Sequence, residues 1–335
     1  MKKLVLMIAG ISILLGGCAS VDRPEWTDSG YSKDYPKNTY LTGVGTGANL
    51  ETAKANARTN LAQAFLIDVD TALEATIRQA KKAGGDIGPD VNKARVEQII
   101  NNRKTHVRSG DKIADTWQGP ETRAYYALAV ISRSLAASNL MNEMTRLDKA
   151  TGGYVRRSET DADILRRVRA ASIALDAQVA RVGYQQKLRE IEKGSEGTAA
   201  QWDIANLGRD LERLLLQVRI APQVTESKVG TLGNSTNAAL SESGFQVSEI
   251  ENAEFILTTK LDLKNMGFRD KWYWSRGILT VTLNEKISGR QRGTVRWAMK
   301  AAGSSTGDAE QSIASKADSL LKRQLRETII RFAVR

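Results

Sequence analysis

The sequence predicts an α+β protein of two domains, each a small, mainly antiparallel sheet packed with helices, with the two joined through a helical hairpin. Segments with the alternating apolar pattern of a strand and segments with the apolar spacing of a helix follow one another along the chain. The length of 335 residues suits about two domains. A Gly-Ser-Glu-Gly stretch at 194–197 interrupts the pattern. We therefore expect one domain over residues 39–193 and another over residues 198–335.

The first domain is expected to alternate strands and helices before the hairpin. The spacing of apolar residues predicts a strand at Tyr40–Gly45 and a helix from Leu50 to about Ala83. A stretch rich in glycine and proline at 84–89 ends that helix. The remaining elements follow in chain order: a helix at 91–101, and strands near 105–117 and 122–131.

Residues 134–193 are expected to form the helical hairpin. Helices are predicted over 134–147 and 161–191, with Thr151-Gly152-Gly153 as a turn between them. In the second helix, apolar and small residues step by four and three, which is typical of a helix-packing seam. The seam residues are Val168, Ser172, Leu175, Val179 and Val182.

The second domain is expected to follow the order β-α-β-β-β-α. Its clearest strand is Phe255–Leu263, in which apolar and polar residues alternate. The other predicted elements are a strand at 214–220, a helix at 227–243, strands at 277–285 and 293–300, and a helix at 308–332. Such an order predicts an antiparallel-rich sheet covered by helices.

The first residues carry the features of an export signal. Lys2 and Lys3 precede an apolar run, Leu4–Leu15, that is too short to span a bilayer as a mature helix. Residues 1–17 are therefore expected to be a signal peptide. The polar residues 18–38, which include two prolines, are expected to be a tether without a helix.

The segment Leu15-Gly16-Gly17-Cys18 resembles the lipobox of bacterial lipoproteins. The resemblance implies a diacylglyceryl group on the sulfur of Cys18 and an acyl chain on the new amino terminus, and no other cofactor is expected. Several acyl chains together give stable membrane anchoring. In lipoproteins of this kind Ala19 and Ser20 suit the outer membrane, so we expect an anchor there, facing the periplasm. An ordinary secretory signal with a chance cysteine is the alternative.

The chain is basic, with a net charge of +11. Such a balance is typical of proteins that bind nucleic acid, anionic lipid or an acidic polymer. Export argues against nucleic acid. Peptidoglycan and lipopolysaccharide remain candidate partners beside envelope proteins, and a solvated basic surface without a partner is the alternative.

Several short motifs in residues 22–150 resemble the Lpp-twenty lipoprotein domain. They are Pro24-Glu25-Trp26, Tyr35-Pro36, Tyr40-Leu41-Thr42-Gly43-Val44-Gly45, the helix with Ala53 and Ala57, Trp117, and Tyr125-Tyr126-Ala127-Leu128. The family includes membrane-associated lipoproteins and flagellar outer-membrane components of the FlgP and FlgT type. The resemblance implies a structural or assembly role in the cell envelope, through protein–protein contacts and without an enzymatic site.

The second domain is more weakly similar to periplasmic domains of the TolB amino-terminal, CsgG and LpoB type. The likeness lies in the order of elements and in the segment Leu283–Gly289. Those relatives serve as interaction modules. The likeness implies an alternative function, the regulation of a peptidoglycan synthase.

Enzymatic motifs are weak, so we expect a protein that is not an enzyme and holds no metal. Gly43–Ala48 fits the G-x-G-x-x-A pattern of dinucleotide-binding turns, but Asp68 and Asp70, at the distance where an acidic residue should end a second strand, fall in a predicted helix. A tight strand-to-helix turn is the favoured interpretation. His106 is the only histidine, which excludes His-based triads and His-pair metal sites. A cell-wall hydrolase is the alternative of another class.

An aromatic segment of the second domain is the candidate partner-binding site. It consists of Phe268, Arg269, Trp272, Tyr273, Trp274 and Arg276. In a strand, Trp272 and Trp274 would share one face and Tyr273 would take the other. Aromatic anchors beside arginine are typical of binding hot spots. Packing of both tryptophans in the core is the alternative.

Overall fold

The computed structural model describes residues 23–194, 197–225 and 230–333. The expected signal peptide and Cys18 lie outside these residues. The described chain is α+β with two antiparallel-rich sheets, which confirms the predicted fold class. Within the described ranges, no helix combines the length and the apolar character needed to cross a membrane.

Helices and strands alternate through most of the described chain. The helices are α1 (Trp26–Ser29), α2 (Leu50–Gln63), α3 (Val69–Lys82), α4 (Lys93–Asn101), α5 (Arg133–Thr160), α6 (Ile164–Ile191), α7 (Ile204–Leu215), α8 (Leu232–Glu242) and α9 (Thr306–Phe332). The strands are β1 (Tyr40–Gly47), β2 (Lys112–Gln118), β3 (Tyr125–Ser132), β4 (Arg219–Val224), β5 (Gln246–Val247), β6 (Phe255–Arg269), β7 (Trp272–Glu285) and β8 (Gln291–Gly303).

The elements form two compact units. Of the described residues, unit 1 contains 23–64 and 111–132, and unit 2 contains 65–110 and those from 133 onwards. Unit 1 is therefore made of two separate pieces of chain. The piece between them in sequence belongs to unit 2.

In unit 1, α2 packs closely on a sheet of strand order β1-β3-β2, in which both pairings are antiparallel. Glycines of β1 line the contact. A Cβ atom on Gly43 would lie 2.2 Å from the backbone nitrogen of Leu61, and one on Gly45 would lie 2.0 Å from that of Ala57. The partners of these glycines on β3 are buried alanines. The backbone of the helix therefore rests directly on the strand, where only glycine fits.

The opposite face of this sheet packs against an aromatic cluster around Trp26. Trp26 is buried, and its indole Nε1 donates a hydrogen bond to Asp115 Oδ2 at 2.8 Å. The cluster continues through Tyr35 and Tyr40, whose rings meet edge to face with centroids 5.1 Å apart. The predicted helix-free tether over 18–38 is therefore wrong in its described part, because burial of Trp26 fixes this segment and α1 begins at that residue.

Unit 2 is built on a sheet of strand order β5-β4-β6-β7-β8. β6, β7 and β8 pair antiparallel, whereas β4 pairs parallel with β5 and β6. Helices α8 and α9 cover one face, and the core between sheet and helices includes Leu257, Leu279, Val281, Ile313 and Leu321. The alternate residues of β6, β7 and β8 form the other face, which is largely polar and charged.

Helices α5 and α6 form the predicted helical hairpin, but its turn lies elsewhere. α5 runs through Gly152 and Gly153 to Thr160, and Asp163 caps α6 by accepting hydrogen bonds from two backbone N–H groups. A Cβ atom on Gly152 would lie 3.1 Å from the ring of Trp202. The glycine thus makes room for an aromatic ring, and this packing outweighs the turn preference of a Gly-Gly pair.

The stretch at 194–197 does not separate two domains. Arg181, which is buried in α6, donates to the carbonyl oxygen of Ala199 at 3.1 Å and forms an ion pair with Asp148. Trp202 Nε1 donates to the carbonyl oxygen of Asp148 at 3.0 Å. The residues after the stretch are therefore bound to the helical hairpin that precedes it.

The division of the chain consequently differs from the expected 39–193 and 198–335. The helical hairpin and residues 65–110 belong to the unit that contains the five-stranded sheet. The physical reason is that α6 is buried on several sides and packs against α3, α4, α5, α7 and α9. An amphipathic pattern shows that a helix is buried, but not which neighbours bury it.

Several predicted elements begin or end at other residues in the structure, and two of these differences have a clear local cause. The predicted helix at 50–83 is two helices, because the chain leaves helical geometry after α2 and Asp68 caps a new helix by accepting from two backbone N–H groups. The predicted strand at 214–220 starts within the last turn of α7. Leu215 is therefore helical, and the strand begins at Arg219.

Candidate functional site

The hairpin of β6 and β7 has two ends with different surroundings. Near its base, Leu257, Leu261 and Leu279 are buried against the helices of unit 2. Toward the other end, Asn265 lies beside Thr306, the first residue of α9. The hairpin continues past the start of this helix. We call residues 266–274 the hairpin tip.

A two-residue turn, Asp270-Lys271, closes the hairpin tip. Arg269 pairs with Trp272 across the turn. Both turn residues have positive φ angles, 53° for Asp270 and 68° for Lys271. This is the backbone of a type I′ turn, whose twist matches that of the paired strands. Aspartate tolerates this geometry better than lysine does, so the turn carries some backbone strain at Lys271.

A bulge in β6 sets which aromatic residues share a face. The register shifts between Asn265 and Gly267, and the backbone N–H of Gly267 donates to Asn265 Oδ1 at 2.8 Å. After the bulge, Phe268 lies directly opposite Tyr273, with ring centroids 5.0 Å apart. Trp274 lies opposite Gly267, whose φ of +85° is the left-handed geometry that favours glycine. Apolar side chains therefore occupy both faces of the hairpin tip.

The candidate site residues predicted from the sequence lie together, and most are exposed. The exposed fraction is 63% for Phe268, 50% for Trp272 and 37% for Tyr273, and Trp274 is half-buried with its indole Nε1 donating to the Arg269 carbonyl oxygen. Met266, which the sequence analysis did not single out, is 52% exposed beside them. Core packing of both tryptophans, the alternative, does not occur. The fold does not bury these large apolar side chains, and an exposed apolar patch of this kind is uncommon unless a partner binds it.

The aromatic cluster on Trp26 and the glycine contact of α2 both lie within residues 24–132. This segment matches the sequence model of the LPP20 lipoprotein family. The chain carries an LPP20 lipoprotein region. The family predicted from the short motifs is thereby confirmed over this segment. No curated protein matches the chain.

Three solved structures resemble the chain at low similarity. The secreted protein HP1454 of Helicobacter pylori is 11% identical, over 87% of this chain and 97% of its own, with a TM-score of 0.42. A minor lipoprotein of Acinetobacter baumannii is 20% identical over 35% of this chain and 90% of its own, with a TM-score of 0.25. A Caulobacter crescentus protein described as a lipoprotein is 15% identical over 34% of this chain and 90% of its own, with a TM-score of 0.26.

In the LPP20 region, the glycine-rich segment Gly43–Ala48 is a packing device. Gly43 and Gly45 lie in β1 beneath the backbone of α2, and Asn49 caps that helix by accepting from the N–H of Thr52 at 2.8 Å. The space that a dinucleotide phosphate would need is filled by the helix itself. The predicted tight strand-to-helix turn is wrong for most of this segment, because Gly43–Gly47 are residues of β1 and only Ala48 and Asn49 separate the strand from α2.

Outside the LPP20 region, serine–lysine chemistry finds no support at the spacing used by some hydrolases. Ser319 and Lys322 have this spacing in α9, but Ser319 donates to a helix carbonyl and Lys322 pairs with Asp318 at 3.2 Å. Within residues 23–194, 197–225 and 230–333, no group of three or more His, Cys, Asp or Glu side chains is placed to hold a metal ion.

A charge network in unit 2 surrounds the buried carboxylate of Asp176. Arg95 donates to Asp176 Oδ2 at 2.7 Å and to both carboxylate oxygens of Glu327. The backbone N–H of Asn92 donates to the other oxygen of Asp176 at 2.9 Å. Burial raises the pKa of Asp176 to about 7, although Arg95 opposes the shift. The network ties α4, α6 and α9 together beside a cleft of about 610 Å³.

Proposed function

We propose that the protein is an outer-membrane lipoprotein, acylated on Cys18 and facing the periplasm, that acts as a non-enzymatic structural or assembly component of the cell envelope. It works through protein–protein contacts, and the hairpin tip is the contact site. The LPP20 region supports the lipoprotein assignment. A flagellum-associated role is one form of this function that the family resemblance favours.

The single observation that carries the contact function is the exposure of the hairpin tip. Three exposed aromatic residues flank the two-residue turn of the hairpin, namely Phe268, Trp272 and Tyr273. Arg269 and Arg276 lie near them in the same two strands. Large aromatic side chains on a rigid support lose little entropy when a partner covers them. Such residues with a neighbouring arginine are the usual anchors of interfaces.

The lipid anchor is tested by Cys18→Ser. The variant should accumulate as an uncleaved precursor and take up no labelled palmitate, because the sulfur that accepts the lipid is gone. Cell fractionation of the unaltered protein should place it with the outer membrane. Normal processing and labelling of the variant would remove the basis for the anchor.

The contact site is tested by Tyr273→Ala and Trp272→Ala, made singly. Truncation of a hot-spot residue should weaken association by about 2 kcal/mol or more, so each variant should lose most of the protein cross-linked to it in the envelope. Ile287→Ala is the matched control, because Ile287 is 98% exposed on the turn after β7 and lies outside the hairpin tip. If the tip variants recover the same cross-linked proteins as the control, the hairpin tip is not the contact site.

A further inference from the structure

The exposed face of the five-stranded sheet carries a row of three cations that run across three strands. Lys264 of β6 pairs directly with Arg276 of β7, and Arg276 pairs directly with Lys300 of β8. All three side chains are exposed. Among the described residues, none of the three forms an ion pair. We call these residues the cation row.

The cation row is electrostatically unfavourable within the chain. Like charges directly opposite each other on neighbouring strands destabilise a sheet. Neighbouring strands lie only about 4.8 Å apart, so Arg276 has a cation on each side. The nearest acidic side chain of this face, Asp262 on β6, pairs with Lys260 at 2.8 Å instead. An anionic partner at this face would relieve the repulsion that the chain leaves unbalanced.

Beyond the cation row, the exposed face carries further cations and, at one end, tryptophans. Two residues along the strands, the next row of this face consists of Asp262, Ile278 and Ala298. Four residues along, Lys260 and Arg296 flank Thr280, and both of these cations are exposed. In the other direction along β7, Trp274 and Trp272 follow Arg276 on the same side by alternation. The exposed face of the sheet therefore presents cations next to tryptophans. This combination is typical of surfaces that lie on a lipid headgroup region.

We propose that the exposed sheet face around the cation row docks on an anionic bilayer surface, with Lys264, Arg276 and Lys300 against lipid phosphates and the tryptophans at headgroup depth. The site goes beyond the proposed protein contact. It shares Arg276, Trp272 and Trp274 with that contact but is carried by Lys264 and Lys300, which the contact does not involve. The docking adds a second membrane attachment to the lipid anchor.

The test uses Lys264→Glu together with Lys300→Glu in the full chain. The chain is reconstituted into phosphatidylcholine vesicles, immobilised, and exposed to dye-labelled vesicles of phosphatidylglycerol and phosphatidylcholine in equal parts. The unaltered chain should retain these vesicles at low salt and should not retain vesicles of pure phosphatidylcholine. Loss of two cations alone should weaken retention by about thirtyfold, and their reversal should abolish it.

The melting temperature of the variant distinguishes a docking role of Lys264 and Lys300 from a role in stabilising the fold. The Glu pair places opposite charges on both sides of Arg276, so the variant should melt at a higher temperature than the unaltered chain while losing vesicle retention. A lower melting temperature would mean that the lysines support the fold, and the loss of retention would then not count for docking. Lys264→Gln with Lys300→Gln should lie between the two chains in both measurements.

The matched control is Lys82→Glu with Lys149→Glu, which changes the net charge equally at exposed positions of α3 and α5. This control should retain the vesicles, and equal loss in both variants would overturn the proposal in favour of net charge alone. Equal retention of pure phosphatidylcholine vesicles would also overturn it. If polyglutamate binds as tightly and with the same sensitivity to Lys264 and Lys300, the occupant is an acidic polypeptide and not a bilayer. The hairpin tip is unaltered in these variants, so recovery of cross-linked proteins tests the proposed contact separately.

Discussion

The strand–helix contact of unit 1 and the hairpin tip of unit 2 use side-chain size in opposite ways. In β1, Gly43 and Gly45 leave no space at all between strand and helix. At the hairpin tip, Phe268 and Trp272 are large, and the fold covers neither of them. Side chains are thus absent in β1, where close packing excludes a Cβ atom, and large at the hairpin tip, where they make no contribution to the core. The difference shows that the large side chains of the hairpin tip are not used to fill the core, whereas the glycines of β1 are required by close packing.

The largest effect is expected from Gly45→Val. A Cβ atom there meets the backbone of Ala57 at 2.0 Å, and backbone cannot rotate away as a side chain can. Overpacking of a close contact costs about 3 kcal/mol or more, so unit 1 should unfold or melt far earlier. Thermal unfolding followed by the fluorescence of Trp26 and Trp117 is the measurement.

A glycine in α5 provides the control for this prediction. A Cβ on Gly153 has no atom within 4 Å, and the residue lies inside a helix. Gly153→Ala should therefore stabilise the protein by about 0.5–1 kcal/mol, whereas Gly45→Ala should destabilise it. Equal effects at the two positions would contradict the close contact of β1 and α2.

Next in size is the difference between the two ends of the β6–β7 hairpin. Leu279 is fully buried in the middle of β7, so Leu279→Ala should cost about 2–5 kcal/mol of unfolding free energy. Trp272→Ala at the tip should change stability by no more than about 0.5 kcal/mol, because half of the side chain is already in water. Urea unfolding of both variants is the measurement. A cost at Trp272 comparable to that at Leu279 would show that the tip belongs to the core.

A smaller effect is expected on the free energy of unfolding when the pH changes. It concerns a buried carboxylate, Asp176, in contrast to the exposed side chains of the hairpin tip. The folded-state pKa of Asp176 is raised from 3.8 to about 7, so this group stabilises the fold at low pH and loses that contribution as the pH rises toward 7. Asp176→Asn should remove this decline, seen in the free energy of unfolding between pH 4 and 7. Asp161 serves as the control, because hydrogen bonds from a backbone N–H and from Arg166 hold its pKa below the usual range. Asp161→Asn should leave the slope in that window intact.

The smallest effect is expected from cutting the chain at 194–198. If Arg181 and Trp202 bind the two sides together as described, proteolysis there should leave fragments that still elute as one species. Separation of the fragments under native conditions would restore the division at 39–193 and 198–335. Arg181→Met in the cleaved protein should loosen the association, because its hydrogen bonds to Ala199 and its ion pair with Asp148 are lost.

Sequence patterns located most elements, and they failed where tertiary packing opposed local preference. The alternation in Phe255–Leu263 correctly placed a half-buried strand, because one face meets helices and the other meets solvent. Gly152-Gly153 was expected to turn but stays helical, since Trp202 packs on it. The fingerprint-like Gly43–Ala48 is explained by Ala57 and its neighbours in α2, small residues at helical spacing that mark a close contact.

The candidate site was only partly predictable. The residues of the hairpin tip could be named from their composition, because aromatic side chains beside arginine are conspicuous in a polar stretch. The turn between them could not be predicted from the sequence, because Asp270-Lys271 lacks the glycine or asparagine that marks most type I′ turns. The cation row was not predicted at all. It depends on the register of Lys264 and Lys300 against β7, and cross-strand register is not visible in a single sequence.

The two-piece construction of unit 1 has a consequence for synthesis and export. β1 lies beside β3 in the sheet, and β3 comes after the whole of residues 65–110 and β2. A chain that emerges from its amino terminus therefore presents β1 with no strand to pair with for much of its passage. An unpaired strand is open to wrong pairings until its partner arrives. Tyr40–Gly47 therefore remains without its β3 partner until Ser132, the last residue of β3, has emerged.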